Sequence, residues 1–130
     1  MIGMRVHDLI QTVRLMRREH REIYVIGLGG GGLVALHAAA IDKSISGVAT
    51  FQTLVSYKDV LERAIYVQPA SSFVPGALAH YDLPLLSAWI RPRPCAVIRP
   101  FDAGKQPLRG EPAPPAEAAA VVILKGLRLS

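Results

Sequence analysis

Residues Glu22 to Ala40 read EIYVIGLGGGGLVALHAAA, and this stretch decides the fold. Its apolar run, Ile23 to Ile26, is typical of a buried strand, whereas the alanine- and leucine-rich half is typical of a helix. Between them lie Gly27 and the four consecutive glycines Gly29 to Gly32. Because glycine adopts backbone angles that other residues avoid, the pattern predicts a sharp turn from strand to helix.

Outward from this corner, helical and extended patterns alternate along the chain. Helices are predicted over Arg5 to Glu19, Gly31 to Ile41, Ser56 to Ala64 and Asp82 to Ile90, and strands over Gly47 to Phe51 and Cys95 to Ile98. A further helix over Ala116 to Leu124 is predicted to run into a final strand, Val121 to Leu124. Since parallel strands need crossover connections, this alternation predicts an α/β fold with a short, mainly parallel sheet.

Length and composition narrow the class of protein. The 130 residues suit one domain, and 51% hydrophobic with 19% charged residues argues against disorder. Apolar runs stop well short of the roughly 20 residues of a membrane helix, and no export signal is visible, so a cytoplasmic protein without membrane contact is the default expectation. The single cysteine, Cys95, excludes an internal disulfide and a cysteine-based metal cluster.

The net charge of +5 comes partly from arginines on the first predicted helix. These are Arg14, Arg17, Arg18 and Arg21. The opposite face carries apolar residues at the spacing of core packing, namely Val6, Leu9, Ile10, Val13 and Met16. No aromatic side chains interleave with the charges, as they do in surfaces that bind single-stranded nucleic acid. The arginines are therefore expected to form a solvated face rather than a nucleic-acid site.

The glycine corner matches two motifs. Gly27-x-Gly29-x-x-Gly32 fits the dinucleotide-binding fingerprint, with a strand before it and a helix after it. That architecture places an acidic residue at the end of the next strand to hold a ribose hydroxyl. The sequence has Ala49 to Gln52, ATFQ, at that point and no carboxylate. A Rossmann-like domain that binds a dinucleotide through these three glycines is kept as the alternative.

The second motif is the nucleophile elbow, Gly-x-Ser-x-Gly. Gly27-Leu28-Gly29-Gly30-Gly31 aligns with it, and Gly32 follows. In an elbow the outer glycines permit the tight turn, and the central residue presents its side chain above the sheet. The place of the serine is filled here by Gly29, which supplies no nucleophile.

Several later segments carry a resemblance to a known family. They are LVALHAAAIDKSISGVAT (33–50), LVSYKDV (54–60) and VPGALAHYDLPLLSAWIRPRPCAVIRPFDAGKQPL (74–108). With the elbow, the stretch Ile23 to Leu108 resembles the C-terminal half of an α/β-hydrolase of the acetyl xylan esterase and prolyl-oligopeptidase-like group. The resemblance implies a partial α/β-hydrolase fold with three layers, α-β-α.

The resemblance also assigns site residues. Asp102 falls at the place of the triad acid, Gly29 at the vacant place of the nucleophile, and the Gly30 backbone amide at that of an oxyanion donor. The catalytic histidine is expected after the acid, and no histidine follows Asp102. Hydrolysis by the usual route is therefore not expected. No cofactor is expected, and the scattered histidines predict no metal site.

Hydrolases of this group have further strands before the elbow strand, whereas this chain begins one helix before it. The resemblance thus predicts a truncated hydrolase-like domain over residues 1–109, followed by a Pro- and Ala-rich tail over 110–130. The exposed edge of the elbow strand predicts either a homodimer or pairing with an N-terminal hydrolase half. In the second case the chain is the C-terminal part of a split esterase. The ancestral substrate is expected to be an acylated carbohydrate or another ester.

Overall fold

A small parallel sheet and the helices beside it make up the described part of the chain. The computed structural model describes residues 2–62, 73–102, 104, 124–125 and 127–128. The helices are α1 (Ile2–Met16), α2 (Gly30–Ile41), α3 (Tyr57–Glu62) and α4 (Leu83–Ile90), and the strands are β1 (Tyr24–Leu28), β2 (Gly47–Phe51) and β3 (Cys95–Ile98). A short 3₁₀ helix, Ala77–Ala79, was not predicted.

The three strands form one parallel sheet in the order β1-β2-β3. Tyr24 is in register with Gly47, and Val48 is in register with Cys95. An isolated parallel bridge between Leu54 and Phe101 extends the pairing of β2 and β3 by one step. The prediction of an α/β fold with a short parallel sheet is confirmed.

The main core lies between the helices and one face of the sheet. Buried apolar residues of α1, α2, α3 and α4 form a single cluster with Val48 of β2. At its centre is α2, which contacts α1, α4, β1 and β2. Alanines along α2, among them Ala35, Ala38 and Ala39, are almost fully buried and allow these elements to approach closely. The described helices therefore form one layer over one face of the sheet.

The opposite face of the sheet has much lighter cover. There Ala49 and Leu127 form a small separate cluster with Tyr24, Ala96 and Ile98. Ile26 and Leu28 of β1, which alternate onto the same face as Tyr24, remain largely exposed. Within the described residues, α1 to α4 cover a single face of the sheet, and these helices supply one layer of the three expected from the resemblance.

Most differences from the predicted boundaries occur at the ends of elements. The first helix ends at Met16 rather than Glu19, because the next residues form a tighter turn in which the Arg18 N–H bonds to the Leu15 carbonyl. Met16 was predicted to be buried and is exposed. Leu124 is helical rather than extended. The rest of the predicted final helix and strand, and most of the tail 110–130, lie outside the described residues.

Candidate functional site

The corner between β1 and α2 is formed by Gly29, which has φ 54° and ψ −123°. Residues other than glycine rarely adopt such a positive φ. Three hydrogen bonds hold this conformation. The Gly29 N–H donates to the Phe51 carbonyl (2.9 Å), and the Gly29 carbonyl accepts from the Gly32 N–H (3.1 Å) and from Thr53 Oγ1 (3.0 Å). The corner is thereby tied to the end of β2.

Two of the glycines are required by close packing of strand against helix. A Cβ added at Gly27 would lie 2.5 Å from the Gly32 Cα and 2.6 Å from the Gly31 carbonyl oxygen. A Cβ added at Gly32 would lie 1.8 Å from Thr53 Oγ1. Real Cβ atoms do not come so close to other atoms, so both positions admit only glycine without rearrangement of their surroundings.

The other glycines face open space. Apart from adjacent backbone, a Cβ added at Gly29, Gly30 or Gly31 would have no heavy atom of the described residues within 4 Å. Gly30 and Gly31 begin α2, and amides in the first turn of a helix have no intrahelical acceptor. Gly29, the N-cap residue, provides no side-chain cap. The corner is thus an open surface with backbone donors at the positive end of a helix dipole, an arrangement that favours anionic oxygen.

Asp102, the predicted acid, lies with Gly29 at the carboxyl ends of the strands. The Phe101 N–H donates to the Thr53 carbonyl (2.9 Å), and Thr53 Oγ1 in turn bonds to the Gly29 carbonyl. Thr53 therefore links the corner with the segment that carries Asp102. The Asp102 side chain is buried, and its Oδ1 accepts a hydrogen bond from the Gly104 N–H (2.9 Å). The fold brings Gly29, Gly30 and Asp102 to the carboxyl ends of the strands.

His37 is the buried histidine, and the core engages both of its ring nitrogens. Its Nδ1 lies 2.7 Å from the Leu33 carbonyl and therefore carries the proton, so Nε2 accepts a hydrogen bond from the Tyr81 hydroxyl at 2.8 Å. Burial lowers the pKa of His37, and the bond to Leu33 opposes that shift in part. His37 is a packed side chain with both ring nitrogens engaged, so it is not available to act as a base at the corner.

Ser56 and Asp82 join the beginnings of two helices. Ser56 caps α3 by accepting a hydrogen bond from the Lys58 N–H (3.0 Å), and its hydroxyl donates to the Asp82 carboxylate. Asp82 Oδ1 also accepts from the Tyr57 and Leu83 amides, both at 2.7 Å. Burial acts to raise the pKa of Asp82, but these hydrogen bonds outweigh it and hold the pKa below the ordinary value. The double cap was not predicted from the sequence.

Arg93 lies against the C-terminal end of α2, and no role was predicted for it from the sequence. Its guanidinium donates to the carbonyls of Ala39 (2.8 Å), Ile45 (2.8 Å), Asp42 (3.3 Å) and Ile90 (3.2 Å). These carbonyls belong to the last turns of α2 and α4 and to the loop before β2, where acceptors lack intrahelical donors. The central arginine of Pro92-Arg93-Pro94 is therefore a structural link. Hydrogen bonds from one arginine to carbonyls this far away in the chain cannot be predicted from the local sequence.

A cavity of about 330 Å³ lies away from the corner, between α3 and the 3₁₀ helix. Its walls are mostly apolar, with Tyr57, Val60 and Phe73 on one side and Ala77 and Leu78 on the other. Gly29, Gly30 and Asp102 do not contribute to it. Among the described residues, no group of three or more His, Cys, Asp or Glu side chains is placed to hold a metal ion. Nor does any helix in those residues have the length and apolar character needed to cross a membrane.

Comparisons of this chain with protein-family models, with curated proteins and with solved structures find no match.

Proposed function

We propose that this chain is an α/β-hydrolase-like domain, similar to acetyl xylan esterases, in which the elbow has lost its nucleophile and the domain no longer catalyses ester hydrolysis. The observation that carries the proposal is the conformation of Gly29. It combines a positive φ between a strand and a helix with open space where a side chain would project. A nucleophile elbow requires both features, because the central residue must rise above the sheet.

The residues at the corner limit the chemistry that is left. Gly29 has no hydroxyl or thiol, so no acyl-enzyme can form there. In this proposal the amides of Gly30 and Gly31, at the start of α2, would hold an oxyanion or the carbonyl of an ester. Asp102 lies at the same carboxyl end of the sheet, but the given sequence after it contains no histidine that it could orient. The activity that this arrangement supports is binding of an acylated carbohydrate or a related ester, without turnover.

The dinucleotide alternative has less support. The position after β2 that would hold the ribose is occupied by Gln52, and β2 itself ends in Phe51. The glycine contacts serve packing of the strand against the helix equally well in either interpretation. The carbonyl of Gly29 accepts a hydrogen bond from the Thr53 hydroxyl, so this carbonyl is engaged within the chain rather than offered to a ligand.

Restoring a nucleophile tests the elbow. In a Cys95→Ala background, Gly29→Cys places the only thiol at an exposed helix N-terminus, where its pKa is lowered. With p-nitrophenyl acetate, the thiolate attacks the acetyl carbon, a thioester forms and p-nitrophenolate leaves. We expect a burst of about one equivalent of p-nitrophenolate per chain without steady turnover, since no histidine activates water for deacylation.

Leu15→Cys in the same background is the matched control, because Leu15 is exposed but lies near the C-terminal end of α1. A Gly29→Cys burst no faster than that of the control, in a variant whose circular dichroism shows it folded, would refute the elbow. The unmodified chain gives a second readout. We expect no esterase turnover that a fluorophosphonate abolishes, and no saturable quenching of Trp89 fluorescence by NADH or FAD. Saturable quenching would favour the dinucleotide alternative.

A further inference from the structure

Among the described residues, no strand pairs with the outer edge of β1, so this edge presents backbone hydrogen-bonding groups. β1 is an edge strand of the described sheet. Toward β2, the Ile23 carbonyl accepts from the Ser46 N–H and the Gly29 N–H donates to Phe51. A strand uses every second residue for one neighbour, so the odd-numbered residues bond to β2. The N–H and C=O groups of Tyr24, Ile26 and Leu28 therefore point to the opposite side, away from the sheet.

The side chains of the same three residues lie on the lightly covered face of the sheet. Ile26 is 49% exposed and Leu28 is 63% exposed, although both are large and apolar. Natural edge strands commonly carry a proline, or a lysine or another charged residue, that prevents pairing with a second chain. Tyr24 to Leu28, YVIGL, contains none of these. Both the backbone and the side chains of β1 thus have the character of an internal strand.

We propose that two copies of this chain associate through β1, in an antiparallel pair centred on Ile26. In that register Ile26 faces Ile26 of the partner subunit, and Tyr24 faces Leu28 of the partner subunit. These are the residues whose backbone groups point outward in both copies. Each facing pair exchanges two hydrogen bonds, so about six form across the interface.

A second copy suits this edge because the edge is complementary to itself. A two-fold axis perpendicular to the sheet brings identical strands together in opposite directions and keeps the same faces on the same side. The three strands of each copy then join into one continuous sheet with both helical layers on one side. Ile26, Leu28 and Tyr24 of the two copies form an uninterrupted apolar row on the other side. This inference is independent of the elbow and of any ligand.

Cross-linking through single cysteines tests the register in the full chain. In a Cys95→Ala background, Ile26→Cys places two thiols at directly facing positions, where the Cα atoms of a hydrogen-bonded pair are about 5.5 Å apart, within reach of a disulfide. We expect nearly complete covalent dimer after mild oxidation. Leu28→Cys is the matched control. Its two copies are offset by four residues along the strands, or roughly 13 Å, and should remain uncross-linked.

Sedimentation velocity provides a reversible readout. The unmodified chain is expected to sediment as a dimer at micromolar concentration. Ile26→Lys should sediment as a monomer with unchanged circular dichroism, whereas Leu15→Lys, which alters an exposed residue of α1, should remain dimeric. A monomeric unmodified chain would overturn the proposal, and so would cross-linking of Leu28→Cys as efficient as that of Ile26→Cys.

Discussion

The two ends of α2 are constructed in opposite ways. At its N-terminus two backbone hydrogen bonds and one from the Thr53 hydroxyl hold Gly29, and no charged side chain takes part in them. Gly29 turns the corner, and Gly30 and Gly31 at the start of α2 face open space among the described residues, without a side-chain cap. At its C-terminus a single charged side chain, Arg93, crosses from another segment and donates to carbonyls of Ala39, Asp42 and Ile45. Among the described residues, the first end presents backbone donors to open space, whereas several carbonyls at the second end are paired with Arg93.

This difference shows where to look for function in the molecule. Arg93 donates to four backbone carbonyls, and Asp42 Oδ1 accepts from the Ser44 N–H, so these charged groups serve the folding of this end of the helix. Burial acts to raise the pKa of Asp42, but its bonds to Ser44 and the charges of Arg14 and Arg93 outweigh this and lower it. The glycine corner has no comparable requirement. The Gly30 and Gly31 amides, which face open space among the described residues, are therefore the better candidates for contact with a ligand.

The largest effect is expected from Gly27→Ala. The new methyl group would lie 2.5 Å from the backbone of Gly32, where no flexible side chain can move aside, and the strand and helix would be forced apart. We expect the free energy of unfolding to fall by about 3 kcal/mol, measured by urea titration. Gly30→Ala is the control. It adds the same methyl group in open space within a helix and is expected to be neutral or stabilising by up to about 1 kcal/mol. Equal losses in both variants would contradict the packing described at the corner.

At the other end of α2, Arg93→Lys should cost about 2 kcal/mol. Lysine keeps the charge but lacks the planar fork that reaches several carbonyls at once, so acceptors at the ends of α2 and α4 lose their donors. Arg91→Lys, two residues earlier and exposed, is the control and should change stability by less than about 0.5 kcal/mol. Urea titration measures the free energy of unfolding of both variants. If Arg93→Lys and Arg91→Lys lose the same amount, the role assigned to Arg93 is wrong.

The sequence predicted local structure well and long-range polar contacts poorly. The limits of β2 and β3 were predicted correctly, because each is a short apolar run closed by a polar residue or proline. The helix predicted over Gly31 to Ile41 differs from α2 by one residue. Each of these features depends on neighbours within a few positions or on simple burial.

The missed features join residues that are far apart in the chain. Asp82 caps a helix 25 residues earlier, and Arg93 reaches Ala39, 54 residues away. For the candidate site, the sequence identified Gly29, Gly30 and Asp102 but not Thr53, whose hydroxyl ties the corner to the neighbouring strand. A threonine after a strand is common and carries no sign of such a contact. Only the folded arrangement reveals which polar residue is shared between segments.

The smallest effect is expected at the N-termini of α3 and α4, which share the Asp82 side chain as a cap. The N-terminus of α2 has no side-chain cap. Asp82 has a pKa held below the ordinary 3.8 in the folded state, so its charge stabilises the fold above that pH. This stabilisation is lost as the pH falls through the lowered pKa. Asp82→Asn should therefore reduce the free energy of unfolding by about 1 kcal/mol at pH 7.

The difference between the Asp82→Asn variant and the unmodified chain should shrink as the pH falls below about 4, because a protonated carboxyl resembles an amide in shape and bonding. The control is Asp8→Asn, which alters a carboxylate that is 81% exposed on α1 and should follow the unmodified chain at every pH. Thermal or urea unfolding between pH 3 and 7 measures both variants. A difference for Asp82→Asn that stays constant across this range would show that the cap acts by shape alone, and the contrast with the uncapped N-terminus of α2 would then not be electrostatic.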